Sequence, residues 1–283
     1  MPPLSQIRSV VVVRALPGLG DMLCAVPALR ALRGALPRAH IALLGLPWAS
    51  SFVRRFHCYV DEFLPLPGFP GLYDEGQPGA DEIERSLAPV RERRFDLAIQ
   101  MHGSGRISNR LTALCGAALN AGYHPSGEPA PAGCFFPYSE SGAEVLRNLA
   151  LVQALGCAAK GTHLEFPLTA ADHEELSRVL PRKELCPGSY VCVHPGAREA
   201  SRQWPPERFA CAGDGLAAQG FRIVLTGSQT ERAWNQRVAS LMRAPALNAA
   251  LDASAGALAA LLSGASLLVS NDTGVSHLSA ALG

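Results

Sequence analysis

Four short segments carry the residue types that chemistry needs. In Arg14-Ala-Leu-Pro-Gly18-Leu-Gly20-Asp21 an apolar run ends, two glycines allow a tight turn and a carboxylate follows. A carboxylate there could take a proton from an attacking hydroxyl; equally, it could cap the next helix. In Val193-His194-Pro195-Gly196-Ala197-Arg198, continuing to Ser201-Arg202-Gln203-Trp204-Pro205, small residues precede two arginines and a helix start. Small residues let backbone N–H groups approach an anion, the helix start adds partial positive charge, and Arg202 could grip a phosphate with paired donors. The plain alternative leaves both arginines in solvent and Trp204 in the core. Thr226-Gly227-Ser228, with Glu231 just beyond, could hold ribose hydroxyls on a carboxylate, or Glu231 could stabilise a helix N-terminus. Ser270-Asn271-Asp272-Thr273-Gly274-Val275-Ser276-His277 joins an apolar run to a small-residue helix. Asp272 and Thr273 could cap that helix, and His277 reads as a packed histidine unless it lies beside Asp272.

Several better-known chemistries are excluded by the same residues. Gly18-Leu-Gly20 lacks the third glycine of a dinucleotide fingerprint, and no Gly-Lys-Ser/Thr follows it. The Asp-Thr-Gly of aspartic proteases needs two copies on β-rich lobes, and here one copy lies in an α/β context. Eight cysteines, at 24, 58, 115, 134, 157, 186, 192 and 211, form no CxxC pair, and the eight histidines form no HExxH. A zinc site is therefore not expected, and the cysteines read as mostly buried thiols in a reducing compartment.

These segments sit in a chain of 283 residues that is 48% hydrophobic and 17% charged, enough to bury a sizeable core. Lys+Arg is 25 and Asp+Glu is 24, and the signs balance in each half. That excludes nucleic-acid binding by counterion release; an anionic substrate must be met by a few placed groups. Val10–Val13 is too short for a signal peptide and Gly256–Ser270 too short and interrupted for a membrane span, which points to a cytoplasmic protein.

The elements that must position the four segments alternate strand and helix. Strands are expected at Ser9–Val13, Ile41–Leu44, Phe95–Ile99, Tyr190–His194, Phe221–Thr226 and Ser266–Ser270. Helices are expected from about Pro27 to Leu36, over Glu144–Leu155 with Gly156 as cap, from Pro205-Pro206 to Gly220, and over Glu231–Arg243, Ser254–Ser263 and Val275–Ala281. Pro27 inside a helix would cost about 3 kcal/mol, so Asp21–Val26 reads as an irregular lead-in. Pro65–Ala80 and Tyr123–Gly142 read as long loops. A boundary is expected within Thr169–Gly188, with Thr169…Asp172 starting a helix. The alternation implies an α/β chain of two domains built on parallel sheets.

The order of the motifs resembles glycosyltransferase family 9, the ADP-heptose:lipopolysaccharide heptosyltransferases. The resemblance runs through the Gly20-Asp21 turn and Val26-Pro27-Ala28-Leu29-Arg30-Ala31-Leu32-Arg33. It continues through Phe95–Ile99 leading to His102-Gly103-Ser104-Gly105-Arg106, then His194-Pro195-Gly196-Ala197, Arg202-Gln203-Trp204-Pro205 and Asn271–Ala281. It implies a GT-B fold, two Rossmann-like domains facing across a cleft, with residues 1–168 on the acceptor side and 169–283 binding a nucleotide sugar. It implies an inverting transfer of heptose from ADP-heptose to a lipopolysaccharide core or related surface glycan. Asp21 matches the general base. Arg202, Ser201, Glu231, Asp272, Thr273, Gly274 and His277 fall on the donor side, and Gly20, His102 and Arg106 on the acceptor side. No cofactor or metal is required on this reading, with stimulation by Mg2+ left open. The partners are the nucleotide sugar and a glycolipid acceptor, which places the cytoplasmic protein transiently at the inner-membrane surface.

Three departures from the family pattern stand out. His102 occupies the place of a common Gln, and Ser201 is the only hydroxyl residue between His194 and Arg202. The family continues for several dozen residues beyond the position of Gly283, so the C-terminal domain reads as cut short. Two alternatives stay open: a GT-B transferase using another nucleotide sugar, and a non-catalytic nucleotide- or glycan-binding remnant.

Overall fold

The computed structural model describes residues 3–72, 78–180, 185–197, 199–250 and 252–283; Arg198 therefore lies outside the described residues. The chain divides into two compact units, Met1–His163 and Leu164–Gly283, a division that falls a few residues ahead of Thr169.

In the first unit the β-branched run Ser9–Val13 forms β1. It is joined by β2 (His40–Gly45), β3 (Glu62–Pro65), β4 (Leu97–Gln100), β5 (Leu119–His124) and β6 (Cys134–Pro137). The order is β3-β2-β1-β4-β5-β6 and every pair is parallel. Val12 stands opposite Leu43 on one side and Ile99 on the other. Val10 to Val13 are fully buried, because a parallel sheet has helices on both faces and its strands read as unbroken apolar runs. The helices are α1 (Leu19–Leu23), α2 (Val26–Ala35), α3 (Ser50–Arg55), α4 (Ala80–Glu92), α5 (Ser108–Leu114) and α6 (Glu144–Ala154).

Two local expectations change here. Asp21–Val26 is not an irregular lead-in: Leu19–Leu23 is a separate short helix with Asp21 in its first turn. Pro27 falls in the first turn of α2, where its missing N–H is one the helix never uses. The stretch Tyr123–Gly142 is not all loop, since it contains the end of β5 and the edge strand β6. Gly156 does close α6. Its φ is 95°, its N–H reaches the Gln153 carbonyl at 2.8 Å, and the Cys157 N–H reaches Val152 at 2.9 Å.

The second unit holds α7 (Ala170–Val179), β7 (Tyr190–His194), α8 (Pro206–Ala217), β8 (Arg222–Gly227) and α9 (Arg232–Leu241). It continues with β9 (Ala246–Ala250), α10 (Ala255–Ser263), β10 (Leu267–Ser270) and α11 (Gly274–Ala280). Its parallel sheet runs β10-β7-β8-β9. Val191, Val193, Phe209, Ile223, Leu225 and Val238 form the core. Glu175 on α7 accepts from the Ser254 N–H at 2.7 Å and the Ser254 hydroxyl at 2.6 Å, which ties α7 to the start of α10.

Both sheets are Rossmann-like, the two-unit architecture of the GT-B class. Each reverses its strand order once. In the first unit the reversal lies between β1 and β4, and in the second between β7 and β10. Loops at the carboxyl ends of the strands flanking such a reversal leave a crevice where α/β proteins bind ligands. All eight cysteines are free; four are buried, Cys134 is half-buried, and Cys58, Cys186 and Cys211 are exposed. The expectation of mostly buried thiols thus holds for only half of them. Among the described residues no helix is long and apolar enough to cross a membrane.

The helix start expected at Thr169…Asp172 is formed, and it is a capping box. Asp172 accepts from the Thr169 N–H at 2.8 Å while Thr169 accepts from the Asp172 N–H. Thr169→Ala removes that cap, and urea unfolding should show a loss of about 1 kcal/mol.

Candidate functional site

In the first unit the site is built at the ends of β1 and β4. Arg14, directly after β1, is 1% exposed. A buried guanidinium must have its donors met. Arg14 donates to the backbone carbonyls of Met101 after β4 and Asp21 in α1, and to Asn148 Oδ1 at 3.4 Å. Glu144, the first residue of α6, balances its charge at 3.6 Å. Burial pulls the guanidinium below its ordinary pKa, and Glu144 and then Asp21 oppose that pull. Glu144 is in turn held by Arg147 at 2.9 Å and by the Asn148 amide at 3.3 Å. α1 has five residues, too few to be stable alone, so the Arg14 grip on the Asp21 carbonyl fixes where Asp21 stands. Gly20 is buried beside it in the same helix.

His102 follows β4. Its carbonyl accepts from Gln100 Nε2 and, at 2.9 Å, from the Ser108 hydroxyl. Burial pushes its imidazole pKa down to about 4, with Arg14 adding to the fall and Glu144 opposing it. His102 therefore stands as a neutral imidazole at pH 7, able to hydrogen-bond a hydroxyl but carrying no charge. Arg106 lies further out on the surface, paired with Glu128 at 2.6 Å.

In the second unit the loops after β7 and β10 meet. Arg202 Nη1 lies 3.2 Å from Asp272 Oδ2, with the two side chains 57% and 73% exposed. Ser201 is exposed in the short turn just before Arg202. Thr273 caps α11: its Oγ1 accepts from the Val275 N–H at 3.2 Å. Gly274 is the first helical residue, whose N–H has no acceptor within the helix, and His277 lies one turn on. Glu231 forms a capping box with Ser228, taking the Ser228 N–H at 2.7 Å and its hydroxyl at 2.8 Å on one carboxylate oxygen.

Two features of the β7 loop differ from expectation. Trp204 is not in the core but 45% exposed, standing edge-on to buried Phe209 at 5.6 Å. The start of α8 offers little to an anion. Pro206, its first residue, has no N–H, the Arg208 N–H is spent on the Pro205 carbonyl at 3.0 Å, and Glu207 puts a negative charge in that turn.

The sequence motifs contain residues whose importance only the contacts reveal. Asn271 is buried and joins the two loops. Its amide donates to the carbonyls of Pro195 at 2.8 Å and Gly196 at 3.2 Å, and its Oδ1 accepts from the Trp204 N–H at 3.0 Å. His194 is buried, with Nδ1 3.1 Å from Thr226 Oγ1. Burial depresses its pKa, against which Glu231 acts. Glu144 and Asn148 play the matching role in the first unit, and their distance in sequence from Arg14 hides them.

One comparison with known proteins identifies a family. A family model described as glycosyltransferase family 9 (heptosyltransferase) matches residues 84–283. No curated protein sequence matches the chain. Among solved structures, the glycosyl transferase family 9 protein of Veillonella parvula superposes with a TM-score of 0.79 at 21% identity, covering 98% of this chain and 78% of the other. ADP-heptose lps heptosyltransferase II of E. coli gives 0.73 at 18%, covering 98% and 82%. E. coli heptosyltransferase WaaC, solved with ADP-2-deoxy-2-fluoro heptose, gives 0.71 at 21%, covering 97% and 86%. At these identities the likeness shows the fold.

Two measurements probe the geometry. His102 in an unfolded chain titrates near its ordinary 6.5, and in the folded chain at about 4. Between those values the unfolded state binds a proton that the folded state does not, so stability should fall as pH falls, by at most about 1.4 kcal/mol per pH unit. His102→Gln should flatten that slope in urea titrations between pH 7 and 5. Asn271→Ala strands two carbonyls and an N–H, each costing about 1–3 kcal/mol where it stays buried. It should lower the thermal midpoint measured by calorimetry.

Proposed function

The chain belongs to glycosyltransferase family 9 (heptosyltransferase) and is a glycosyltransferase, and from that membership we propose that it moves a heptose from ADP-heptose to a lipopolysaccharide core or a related surface glycan, with inversion at the anomeric carbon. The observation that carries the reading is the placement of Asp21. It is a carboxylate at the strand-order reversal of the first unit, on a short helix fastened by the buried Arg14.

In this mechanism Asp21 takes the proton from the acceptor hydroxyl as its oxygen forms the bond to the anomeric carbon. Its charge also favours the oxocarbenium character of the transition state. The bond from the anomeric carbon to the diphosphate breaks, and the electron pair leaves with ADP. Arg202 and the Gly274 N–H stabilise the charge growing on the diphosphate. Glu231 takes ribose hydroxyls on the carboxylate oxygen that its capping box leaves over, while Asp272, Thr273, Ser201 and His277 line the donor side. His102, as a neutral imidazole, meets an acceptor hydroxyl; Gly20 keeps the turn narrow, and Arg106 attracts an anionic acceptor. Charge is met by side chains and backbone donors, so transfer should persist in EDTA. The acceptor, a glycolipid, places the enzyme on the inner face of the cytoplasmic membrane.

E. coli WaaC has been solved with ADP and with ADP-2-deoxy-2-fluoro heptose, which supports an adenosine diphosphate donor here. The test is transfer from ADP-heptose to a heptose-deficient core. Asp21→Asn should bind donor as the wild type does and transfer about 10²–10⁴-fold more slowly. Full turnover by that variant would remove the base assignment, and UDP or GDP outcompeting ADP in calorimetry would replace the donor.

A further inference from the structure

Two glycines in the strand-end loops have no backbone reason to be glycine. Gly18 lies at φ −105° and ψ 135°, ordinary extended geometry. Gly196 also lies outside the left-handed region. What distinguishes them is what lies over the bare Cα. A Cβ on Gly18 would come within 2.6 Å of Asp21 Oδ2, and the next two nearest atoms, at 3.5 and 4.0 Å, also belong to Asp21. A Cβ on Gly196 would come within 1.8 Å of Glu231 Oε1 and 2.5 Å of Glu231 Cδ. In both cases a carboxylate occupies the space, not the backbone of a neighbouring element. Gly45 is the contrast: there an added Cβ would meet the Arg14 carbonyl at 2.8 Å, a requirement of the fold.

The same arrangement is reached by unrelated routes. Gly18 and Asp21 are neighbours in one turn, whereas Gly196 follows β7 and Glu231 follows β8. Both carboxylates lie at a helix start, Asp21 in the first turn of α1 and Glu231 in its capping box with Ser228, but only in the second case does the glycine come from a different strand-end loop. Each carboxylate is the one that the proposed reaction uses in its unit. We propose that Gly18 and Gly196 are positioning residues, each a bare seat that lets one working carboxylate, Asp21 or Glu231, settle in a single orientation. The proposal rests on the assignment of those carboxylates as base and ribose ligand.

In each case the displaced atom is the far end of a flexible side chain, so an alanine is accommodated by moving the carboxylate; at Gly196 that movement also loosens the capping box of Glu231 with Ser228. Because the backbone angles of Gly18 suit alanine, the lower unfolded-state entropy of Gly18→Ala should hold or slightly raise the thermal midpoint. A displacement approaching 1 Å at the reacting group can cost about 10²-fold in rate.

The experiment therefore measures stability and function together. Gly18→Ala should keep or raise Tm, lower kcat about 10–100-fold and leave the donor KM within about twofold. In an Asp21→Asn background the same change should cost nothing further, since it acts through the carboxylate. Gly196→Ala should instead weaken ADP binding in calorimetry. The proposal is overturned if Gly18→Ala keeps wild-type kcat while Asp21→Asn is inactive, an outcome that leaves the base assignment standing. It is also overturned if Gly18→Ala lowers Tm by several degrees, which would make that glycine an ordinary part of the fold, or if Gly196→Ala binds ADP as the wild type does. Full activity of Asp21→Asn would instead remove the base assignment itself, and the Gly18 role with it.

Discussion

A guanidinium that is 1% exposed must find partners inside the protein, and the arrangement of the first unit follows from how Arg14 does so. Replacing a buried ion pair with apolar residues is often neutral or stabilising, so stability alone does not account for a charge at that place. Its partners suggest what else it does. They come from α1, from the end of β4 and from the start of α6, three elements with no covalent reason to meet. One side chain thereby sets the position of the helix carrying Asp21, orients the chain entering His102 and collects the charge of Glu144. Packing could hold these elements adjacent; directed hydrogen bonds hold them in one register.

The second unit solves the same problem with a neutral side chain. Asn271 bridges the β7 and β10 loops by one acceptor and two donor contacts, all short. An amide serves where an arginine serves in the first unit because the groups to be joined include both an N–H and carbonyls. A guanidinium has no acceptor to offer the Trp204 N–H. Both anchors lie at the strand-order reversal of their sheet, where neighbouring loops diverge.

Much of this was legible in the sequence where a single physical signal dominated. β1 and β7 are buried on both faces, so Ser9–Val13 and Tyr190–His194 show as uninterrupted apolar runs with their true limits. Gly156 and Thr169 act through local backbone geometry, which residue type alone reveals. β5, β6 and β9 were not legible, because Leu119–His124, Cys134–Pro137 and Ala246–Ala250 carry Asn, Gly, Pro and Ala where strand formers are usual. They are strands because of the neighbours they pair with, and β6 is an edge where proline is tolerated. Asp21, Arg202, Glu231 and Asp272 were visible as motif residues. The roles of Glu144, Asn148 and Asn271 were not, since their partners lie 67 to 134 residues away.

Two ion pairs of the candidate site, Arg14–Glu144 and Arg202–Asp272, differ in a way that suits the proposed chemistry. Arg14 has no exposed side-chain surface while Glu144 keeps 27% of its own, so losing Glu144 leaves the buried guanidinium without its counter-charge. That contact belongs to the scaffold. Arg202 and Asp272 are both more than half exposed, and a pair of that kind is worth about 0–1 kcal/mol. A diphosphate, with more charge and more acceptor oxygens than one carboxylate, can take Arg202 from Asp272 at little cost. The same exchange would release Asp272 toward the sugar. On the proposed mechanism the base, Asp21, is thus fastened through its carbonyl to a buried arginine, while Arg202 and Asp272, which would face a charged product, are joined by an exposed contact that a ligand can replace.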